Sequence, residues 1–567
     1  MNVAKPLFLV LCLFVFSSAE AQKAAPGNWF TLDSKADGYN GVSSEKTYNT
    51  LLKGKKSKPI IVAVIDSGVD FNHEDLKDIM WVNPKEIPGN NKDDDQNGFI
   101  DDIHGWNFIG GKDGKNVGSD NLEVTRVYAK LRAKYKDRDP KTISKKEEKE
   151  YALYQETAKV VEEARAKSSE SLEKMDMSVD MFYKAMDALE AKLGSTPLTA
   201  ESIEKIDPTG DQNLMVGKSI LTQMFEENSE EMPKSIKEIK EAIHDDFAEG
   251  QKYFKSQLEY TYNPDLNTRM IVGDNYSDSN EHLYGNSDCI GPDAFHGTHV
   301  AGIIAADRKN GKGIMGIADN VRIMSVRAVP DGDERDKDVA NAIIYAVDNG
   351  ASVINMSFGK GYSWDKAAVD RAVKYAAKHD VLLVHAAGNS GEDNDHSNNF
   401  PNDKFEKKGL FGKKTADNWL EIAALNWKTG EDIAANFSNY GQEGVDLFSP
   451  GVDLNSTVPN GGYDKASGTS MASPAAAGVA AILRSYFPNL TATQIKDIMM
   501  ESVVPVDALV KKPGSGEKVP FKTLSVTGGT VNAYEAVKKA QTVKGKKKVE
   551  NWDPTINNSP SPDGVRP

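Results

Sequence analysis

The sequence lacks three features that would each indicate a class of protein. It has two cysteines among 567 residues, which excludes a disulfide-rich scaffold. The net charge is −15 and the pI about 5.3, whereas nucleic-acid-binding proteins usually carry a basic domain or stripe. The chain also has no apolar run as long as the roughly 18 residues that a membrane-spanning helix needs. We therefore expect a globular protein that does not bind nucleic acid.

The N-terminal residues resemble a secretory signal peptide. An apolar run, Pro6–Phe16, follows Lys5, and Ala19-Glu20-Ala21 supplies the small residues of a cleavage site. We expect residues 1–21 to be removed on export to the periplasm or the cell exterior, which would leave no transmembrane anchor. An uncleaved helix at the membrane surface is the alternative.

Short runs of apolar, often β-branched residues alternate with helix-like segments. Continuous apolar runs are typical of strands that are buried on both faces, and their alternation with helices indicates βαβ units. The sequence therefore predicts an α/β fold in three layers, with a mostly parallel central sheet covered by helices on both faces. The strand candidates are Ile60–Ile65, Val321–Val326, Ser352–Met356 and Val381–Val384, and the helix candidates include Lys337–Asn349 and Trp364–Lys378.

Residues 121–270 differ in character from the rest. Between Ser119 and Leu193 there is no glycine and one proline, Pro140, and strong helix formers dominate. We interpret the segment as an all-helical insertion whose mixed charges favour solvated helices, although it is also a candidate for binding a partner or for inhibition. The remaining predicted parts are an N-terminal arm (22–57), one domain built from 58–120 and 271–540, and a disordered tail (541–567).

Two segments carry an acid and a possible base. Asp66-Ser67-Gly68 ends the first strand, and ligands of parallel sheets gather beyond the carboxyl ends of strands. His296 precedes a helix-like run of small residues, and a neutral imidazole is the natural general base near neutral pH. His299 follows three residues later, but the pair lacks an HExxH pattern, so zinc is a weak interpretation and His299 is better explained by packing.

Two further segments carry a possible nucleophile and a hydrogen-bond donor. Ser470 is surrounded by small residues and precedes Pro474, which suits the first turn of a helix over Ala475–Leu483. A backbone N–H at such a helix start can stabilise an oxyanion, and the amide of Asn389, after the strand candidate at Val381–Val384, can supply a second donor. Taken singly, the serine is explained as a helix cap and the asparagine as a turn residue.

In combination these segments resemble the subtilase family, the subtilisin-like serine peptidases. The order Asp, His, Ser along the chain is that of this family. The motifs that carry the resemblance are VIDSGVD (Val64–Asp70), HGTHVAG (His296–Gly302), VINMSFG (Val353–Gly359), AAGN (Ala386–Asn389) and GTSMASP (Gly468–Pro474).

The resemblance implies a serine endopeptidase that hydrolyses peptide bonds through an acyl-enzyme, with no cofactor for catalysis. Ser470 would be the nucleophile, His296 the general base and Asp66 the residue that orients the imidazole. Asn389 and the Ser470 N–H would form the oxyanion hole. Ser357, Phe358 and Gly359 would pair with the backbone of polypeptide substrates, and Ala386, Ala387 and Gly388 would form one wall of an open pocket with broad, apolar-tolerant specificity.

The sequence departs from the family pattern in two informative ways. Asp66 and His296 are 230 positions apart, and the helical insertion explains most of that distance. Because the insertion ends just before the histidine motif, we expect it near the rim of the cleft. The arm of about 36 residues is too short for the inhibitory prodomain that many subtilases carry, so inhibition would be absent or assigned to the insertion.

An acidic segment resembles the start of an EF-hand-type calcium loop. Oxygen ligands would come from Asp93, Asp95 and Asn97, and Gly98 would make the sharp turn. The Phe99 carbonyl and the Asp101 or Asp102 carboxylate would complete the set, although position 12 is His104 rather than Glu. An acidic surface turn is the alternative; because clustered carboxylates repel one another, we favour structural calcium.

Two other functions fit parts of the sequence. A catalytically inactive subtilase fold could act as a binding or scaffold protein, although all four catalytic elements are present. A metal-dependent hydrolase could use His296 and His299, but it would lack a third ligand.

Overall fold

The computed structural model describes residues 25–194, 196–228, 233, 235–406 and 413–547. They form two units. The helical unit consists of the described residues within 128–266, and the α/β unit of those within 25–127 and 267–547; the sequence analysis had placed the insertion at 121–270. The predicted signal peptide, 1–21, lies outside the described residues.

A nine-stranded sheet forms the centre of the α/β unit. Its strands are β1 (Ile60–Asp66), β2 (Gly105–Asn107), β3 (Val321–Arg327), β4 (Ala351–Met356), β5 (Leu382–Ala386), β6 (Trp419–Leu425), β7 (Leu447–Pro450), β10 (Val504–Pro505) and β13 (Gly529–Thr530); β8 (Leu454–Val458) pairs with β9 (Gly462–Ala466), and β11 (Leu509–Lys511) with β12 (Lys518–Pro520). The order is β10-β13-β7-β6-β5-β4-β1-β3-β2, and all its pairings are parallel except β10 with β13.

Helices cover both faces of this sheet. Successive residues of β1 alternate between two cores: Val62 and Val64 pack in one core with helical residues such as Ile303 and Val479, whereas Ala63 and Ile65 pack in the other with helical residues such as Ile343 and Val373. The predicted three-layer α/β fold is therefore confirmed. The helices of the α/β unit are α1 (Ser44–Asn49), α7 (Arg269–Val272), α8 (Phe295–Ala305), α9 (Asp336–Asp348), α10 (Lys366–Lys378), α11 (Thr469–Tyr486), α12 (Ala492–Glu501) and α13 (Ala533–Ala540), and α2 (Glu123–Tyr135) begins there.

The described part of the N-terminal arm is integral to the core. Trp29 and Phe30 have no exposed surface, and the Trp29 indole donates a hydrogen bond to the Val452 carbonyl (3.1 Å). Residues 541–547 of the predicted tail also pack on this unit, where the Lys547 N–H donates to the Asn489 carbonyl (2.9 Å). That part of the disorder prediction is wrong; residues 548–567 lie outside the described residues.

The helical unit contains a 46-residue helix, α3 (Glu148–Leu193), with α4 (Ala200–Glu204), α5 (Gln212–Asn228) and α6 (Ile236–Ser256). Phe182, Met186 and Leu189 lie four and three residues apart on α3, the spacing of one helix face, and form a buried core with Leu221 and Ile239. Of the described helices, none is long and apolar enough to cross a membrane. Short 3₁₀ or π turns occupy Trp29–Thr31, Lys77–Ile79, Pro140–Thr142, Gln257–Thr261, Gly430–Asp432 and Phe521–Thr523.

Candidate active site

The motif residues of the sequence meet at one edge of the central sheet. Asp66 is the last residue of β1, Ser357 follows β4, and Asn389 follows β5. Because these three strands are parallel neighbours, their carboxyl ends lie side by side. Helices α8 and α11 begin beside the same edge, which brings His296 and Ser470 to it.

Asp66 and His296 form a direct pair. His296 lies in the first turn of α8, and its Nδ1 is 2.7 Å from Asp66 Oδ1. The helix can approach the strand this closely because residue 297 is glycine: a Cβ there would lie 2.1 Å from the Gly68 carbonyl oxygen. Asp66 is 2% exposed, whereas the His296 side chain is 38% exposed, so the ring connects a buried carboxylate to the open cleft.

The charge of this pair sets the basicity of the imidazole. Desolvation alone lowers the pKa of His296, but the charge of Asp66 and its hydrogen bond outweigh that effect and raise the pKa above its ordinary value. With Nδ1 bound to Asp66, Nε2 is the ring atom left to exchange a proton with a neighbouring group.

Ser470 lies in the first turn of α11, which begins at Thr469 rather than near Pro474. The sequence-based helix start is therefore wrong, and Pro474 is inside the helix. Its missing N–H leaves the Ser470 carbonyl without its usual helical donor, and the Ser357 hydroxyl donates to that carbonyl instead (2.8 Å). The Ser470 hydroxyl in turn donates to the Ser357 carbonyl (3.1 Å).

Two N–H donors face a small space beside Gly468. A Cβ placed on Gly468 would lie 3.4 Å from Asn389 Nδ2 and 3.5 Å from the Ser470 N. The amide of Asn389 is oriented by Thr469, whose N–H (2.8 Å) and hydroxyl (2.9 Å) both donate to Asn389 Oδ1. The Ser470 N–H is one of the first-turn donors that a helix cannot satisfy internally. The arrangement suits an oxygen that becomes negatively charged beside Ser470.

Residues 57–534 match the family model described as the Subtilase family, which covers most of the chain. The chain belongs to the subtilase family. The resemblance that the motifs indicated is thereby confirmed.

Curated subtilases similar to the chain differ widely in length. A thermophilic serine proteinase of a Bacillus species is 40% identical over 233 residues, 41% of this chain and 51% of the relative. The major intracellular serine protease of Bacillus subtilis is 32% identical over 299 residues, 50% of this chain and 87% of the relative. The chain thus spans about half the length of the first relative. Fervidolysin from Fervidobacterium pennivorans is 36% identical over 42% of this chain, and the match covers 34% of fervidolysin.

Among solved structures, the chain is similar to a protease from Pseudoalteromonas arctica. The two are 27% identical, with a TM-score of 0.37, over 47% of this chain and 81% of that one.

The two segments that were predicted to bind substrate both contact Asn399. The Asn399 side chain donates to the Ala386 and Ala387 carbonyls (3.2 and 3.0 Å). On its other side, a Cβ placed on Gly359 would lie 2.4 Å from Asn399 Oδ1. Ala386 and Ala387 are themselves buried, at 3% and 0% exposed, as is Phe358 at 9%. Asn399, to which no role was assigned from the sequence, therefore places an amide between the predicted backbone-pairing segment and the predicted pocket wall.

Further polar groups lie behind this wall. His385, on β5, has no exposed surface, and its Nδ1 is 3.0 Å from Glu421 Oε2 on β6. Glu421 also accepts hydrogen bonds from the Asn399 amide (3.3 Å) and the Trp419 indole (2.8 Å). The surroundings of the predicted apolar-tolerant pocket are therefore more polar than its small residues indicated.

His299 does not face the cleft. It is fully buried, and its Nε2 lies 3.0 Å from the Leu454 carbonyl and 3.1 Å from the Asp464 carbonyl. Burial lowers the pKa of His299 to about 4, so the ring is neutral at physiological pH. It packs α8 on the β8–β9 hairpin, which agrees with the expectation of a packed residue rather than a metal ligand.

Several residues inside the motifs have positioning contacts that the sequence analysis did not assign. Asn355 is buried; its amide donates to the Ser357 hydroxyl (2.9 Å), and it accepts from the Ser473 hydroxyl (2.8 Å). Thr469 orients Asn389, as described above. Their presence in VINMSFG and GTSMASP was the available signal, because Asn389 lies 80 residues from Thr469 and Ser473 lies 118 residues from Asn355.

The acidic loop brings three carboxylates together. Oxygen atoms of Glu86, Asp93 and Asp95 lie within 4.8 Å of one another. Glu86 is 7% exposed; its Oε1 accepts from the backbone N–H groups of Asp94 and Asp95, and its Oε2 is buried with no hydrogen-bond partner. A buried carboxylate oxygen without a donor, beside two further carboxylates, is the environment that a bound cation would stabilise. The donor set fits calcium, and the sequence analysis missed Glu86.

The other predicted ligands make hydrogen bonds within the loop or with α9. Asp101 accepts from the N–H groups of Gly89 and Asn91 (3.0 and 2.8 Å), which shapes the neighbouring turn. Asp102 is fully buried and accepts from Tyr345 (2.6 Å) and Asn97 (3.1 Å). The Asn97 Oδ1 accepts from the Phe99 N–H (2.7 Å). Of the three clustered carboxylates, Asp93 and Asp95 belong to the predicted set and Glu86 does not.

Proposed function

We propose that the chain is a serine endopeptidase that hydrolyses polypeptides through a triad of Asp66, His296 and Ser470. One observation carries the proposal: the Asp66–His296 pair, the Ser470 hydroxyl and the N–H donors of Asn389 and Ser470 converge at one sheet edge. Each group matches a requirement of acyl transfer, namely a base, a nucleophile and stabilisation of an oxyanion. Membership of the subtilase family agrees with it.

In the proposed mechanism, Ser470 Oγ turns from the Ser357 carbonyl and attacks the carbonyl carbon of the scissile bond. His296 Nε2 accepts the hydroxyl proton, and Asp66 stabilises the imidazolium that forms. The carbonyl oxygen becomes an oxyanion in the space beside Gly468, where Asn389 Nδ2 and the Ser470 N–H donate to it. Collapse breaks the C–N bond, and His296 returns the proton to the leaving amine; water then hydrolyses the acyl-enzyme by the same steps.

A fluorophosphonate probe tests this proposal. We expect the probe to label the wild-type protein at Ser470 and to fail on Ser470→Ala. Ser168→Ala, which changes a nearly buried serine of α3, is the matched control and should still be labelled. If folded wild-type protein were not labelled, the inactive scaffold function would be the better explanation. Inhibition by a zinc chelator but not by the probe would favour a metal-dependent hydrolase instead, although the His299 ring is committed to two carbonyls.

For specificity, we propose recognition of the extended substrate backbone by Ser357–Gly359, with broad acceptance of side chains, including apolar ones. Backbone pairing supports this breadth because it does not depend on substrate side chains. Asn399 introduces a polar group beside the pocket, which would narrow the range of substrate side chains that the pocket accepts. Cleavage-site profiling with a peptide library, using Ser470→Ala as the blank, tests both statements; a strict requirement for one side chain would contradict breadth.

For metal binding, we propose that calcium has a structural role at Glu86, Asp93 and Asp95. The buried, unpartnered Glu86 oxygen supports this site over the sequence-based set that used Asp101 and Asp102. Calorimetric titration of calcium into metal-free protein tests it, with Glu86→Gln expected to weaken binding. Equal affinity in both proteins would contradict the site.

For location, we propose export to the periplasm or beyond, on the basis of the signal-like residues 1–21. One relative is named a cell wall-associated protease. Cell fractionation followed by N-terminal sequencing tests this: cytoplasmic protein with its first residues intact would contradict it. The helical unit remains a candidate for binding a partner or for inhibition, which comparison of proteolytic rates with and without residues 128–266 would test.

A further inference from the structure

The residue after the predicted substrate-binding segment is a fully buried lysine. The Lys360 side chain has no exposed surface, and its ammonium lies 2.7 Å from Asp336 Oδ1 and 3.7 Å from Glu123 Oε1. It also donates to the Glu334 carbonyl (2.7 Å). Its backbone pairs with Phe400 through two hydrogen bonds of 2.9 and 2.8 Å. Lys360 is thus held both at its backbone and at the end of its side chain.

The groups around Lys360 belong to two other segments of the α/β unit. Glu334 lies between β3 and α9, Asp336 is the first residue of α9, and Glu123 is the first residue of α2. Arg126, one turn further along α2, donates to the carbonyls of residues 333 and 334 (3.1 and 3.0 Å). One ionic cluster therefore connects the substrate-binding segment, the loop after β3 and the start of α2.

The cluster is electrostatically demanding. Desolvation lowers the pKa of Lys360, but Asp336 and Glu123 outweigh it and raise the pKa, so the lysine is charged. Burial raises the pKa of the neighbouring Glu334 to about 8. Removing one member of a buried ionic group leaves its partners uncompensated, so such groups keep their geometry more strictly than exposed pairs do.

Lys360 lies at the end of the predicted substrate-binding segment that is farther from Ser470 along the chain from Ser357. The Ser470 hydroxyl is 3.1 Å from the Ser357 carbonyl, so the scissile bond would lie at the Ser357 end of the segment. An extended chain advances about 3.3 Å per residue, so a peptide paired with the segment reaches the Lys360 end about three residues from the scissile bond. The cluster adjoins the part of the edge that only longer substrates would use.

We infer that Lys360 is a positioning residue that holds the 357–359 edge against residues 334–336 at the start of α9, so that substrate residues remote from the scissile bond contribute to binding. The inference rests on the proposed peptidase function. It assigns to Lys360 no contact with the reacting atoms, because its side chain is buried. A merely structural lysine would affect all substrates alike, whereas a positioning residue would affect long substrates more than short ones.

The test compares kcat and KM for two substrates. One is an acetylated single-residue p-nitrophenyl ester, and the other is a p-nitroanilide with four residues before the scissile bond. We expect Lys360→Met to raise KM for the long substrate at least about tenfold, as loss of positioning at one edge implies, while the short ester is affected far less. Lys360→Arg, which keeps the charge, should recover part of the loss.

Two further variants make the result interpretable. Arg484→Met removes a buried arginine that pairs with the partly exposed Asp380 in the same unit. It should lower the melting temperature without changing the ratio of kcat/KM for the long substrate to kcat/KM for the short one. If Lys360→Met does not fold, Asp336→Asn replaces it, because that change removes the carboxylate paired with the lysine and hardly alters the side-chain volume. It too should lower kcat/KM for the long substrate more than kcat/KM for the short one. The inference would be overturned if the variants lowered kcat/KM equally for the long and the short substrate, or if they lowered it for neither. Failure of wild-type protein to react with the fluorophosphonate probe would instead refute the proposed function.

Discussion

The α/β unit and the helical unit differ in how each accommodates its charged residues. In the α/β unit, the side chains of the Lys360–Asp336, Arg335–Asp120 and Arg269–Asp338 pairs are at most 6% exposed. In the helical unit, pairs such as Lys184–Asp180 and Lys205–Glu201 are at least 60% exposed and span one helical turn. Exposed pairs contribute little to stability, whereas buried ones are costly to desolvate and to break. These buried charges of the α/β unit therefore hold a specific geometry.

The two units differ equally in the range of their contacts. In the α/β unit, β1 pairs with β3 through Ile60 and Val321, which are far apart in the chain, and Asp66 meets His296 across 230 positions. In the helical unit, the core joins α3, α5 and α6, which follow one another closely. The proposed chemistry depends on the long-range contacts, so substitutions in the α/β unit should affect activity and matched substitutions in the helical unit should not.

The largest expected contrast comes from Asp66→Asn. Loss of the carboxylate that orients His296 should lower kcat by about 10⁴-fold. Asp66 also raises the pKa of His296, and the base must be neutral to act, so wild-type activity should fall on acidification at a pH above the ordinary imidazole value. Without Asp66, the residual activity should persist to lower pH. The pH profile of kcat/KM measures both effects.

Asp180→Asn is the matched control for this experiment, because Asp180 is an exposed carboxylate of the helical unit. It should leave the rate and the pH profile unchanged. An acidic limb that did not move in Asp66→Asn would contradict the role assigned to the pair.

Asn389→Ala should have the next largest effect. Removal of one oxyanion donor from a subtilisin costs about 10²–10³-fold in kcat, and a similar loss is expected here with little change in KM. Steady-state kinetics separate the two parameters. Asn213→Ala, which changes an exposed asparagine of α5, is the control. If KM rose and kcat did not fall, Asn389 would have a role in ground-state binding instead.

Calcium should raise the unfolding free energy of the α/β unit but not that of the helical unit. The Glu86 cluster belongs to the α/β unit, so calcium should stabilise that unit against unfolding by about 2.7 kcal/mol at a concentration a hundredfold above its Kd. Differential scanning calorimetry with and without chelator measures the shift. Glu86→Gln should abolish most of it, whereas Glu241→Gln in the helical unit should not. A chelator-insensitive wild-type transition would refute the site.

The contrast in contact range also explains what could be predicted from the sequence. Ile60–Ile65 and Val321–Val326 were recognisable because strands buried on both faces form continuous apolar runs. β6 was missed because it includes Glu421, which is buried against His385, and β7 because it has only four residues. Such exceptions to an apolar pattern depend on partners that only the folded chain reveals.

In the candidate site, too, residues within motifs could be predicted, whereas residues whose roles depend on folded contacts could not. Asp66, His296, Ser470 and Asn389 lie in dense motifs and were identified by resemblance. Asn399 and Glu86 lie outside those motifs, and their roles arise from contacts made after folding. Pro474 was misread for a related reason: its usual place is the first turn of a helix, but here the Ser357 hydroxyl satisfies the carbonyl that proline leaves unpaired inside α11.

The smallest expected effect is that of Lys184→Met. Lys184 pairs with Asp180 one turn away on α3, and their side chains are 60% and 61% exposed. Such pairs stabilise a helix by only about 0.2–0.5 kcal/mol, so the unfolding free energy should change by no more than that and activity should not change. Urea denaturation followed by circular dichroism measures the difference. A larger loss, or any change in kcat, would show that charges of the helical unit hold a specific geometry after all, and the distinction between the units would then rest on contact range alone.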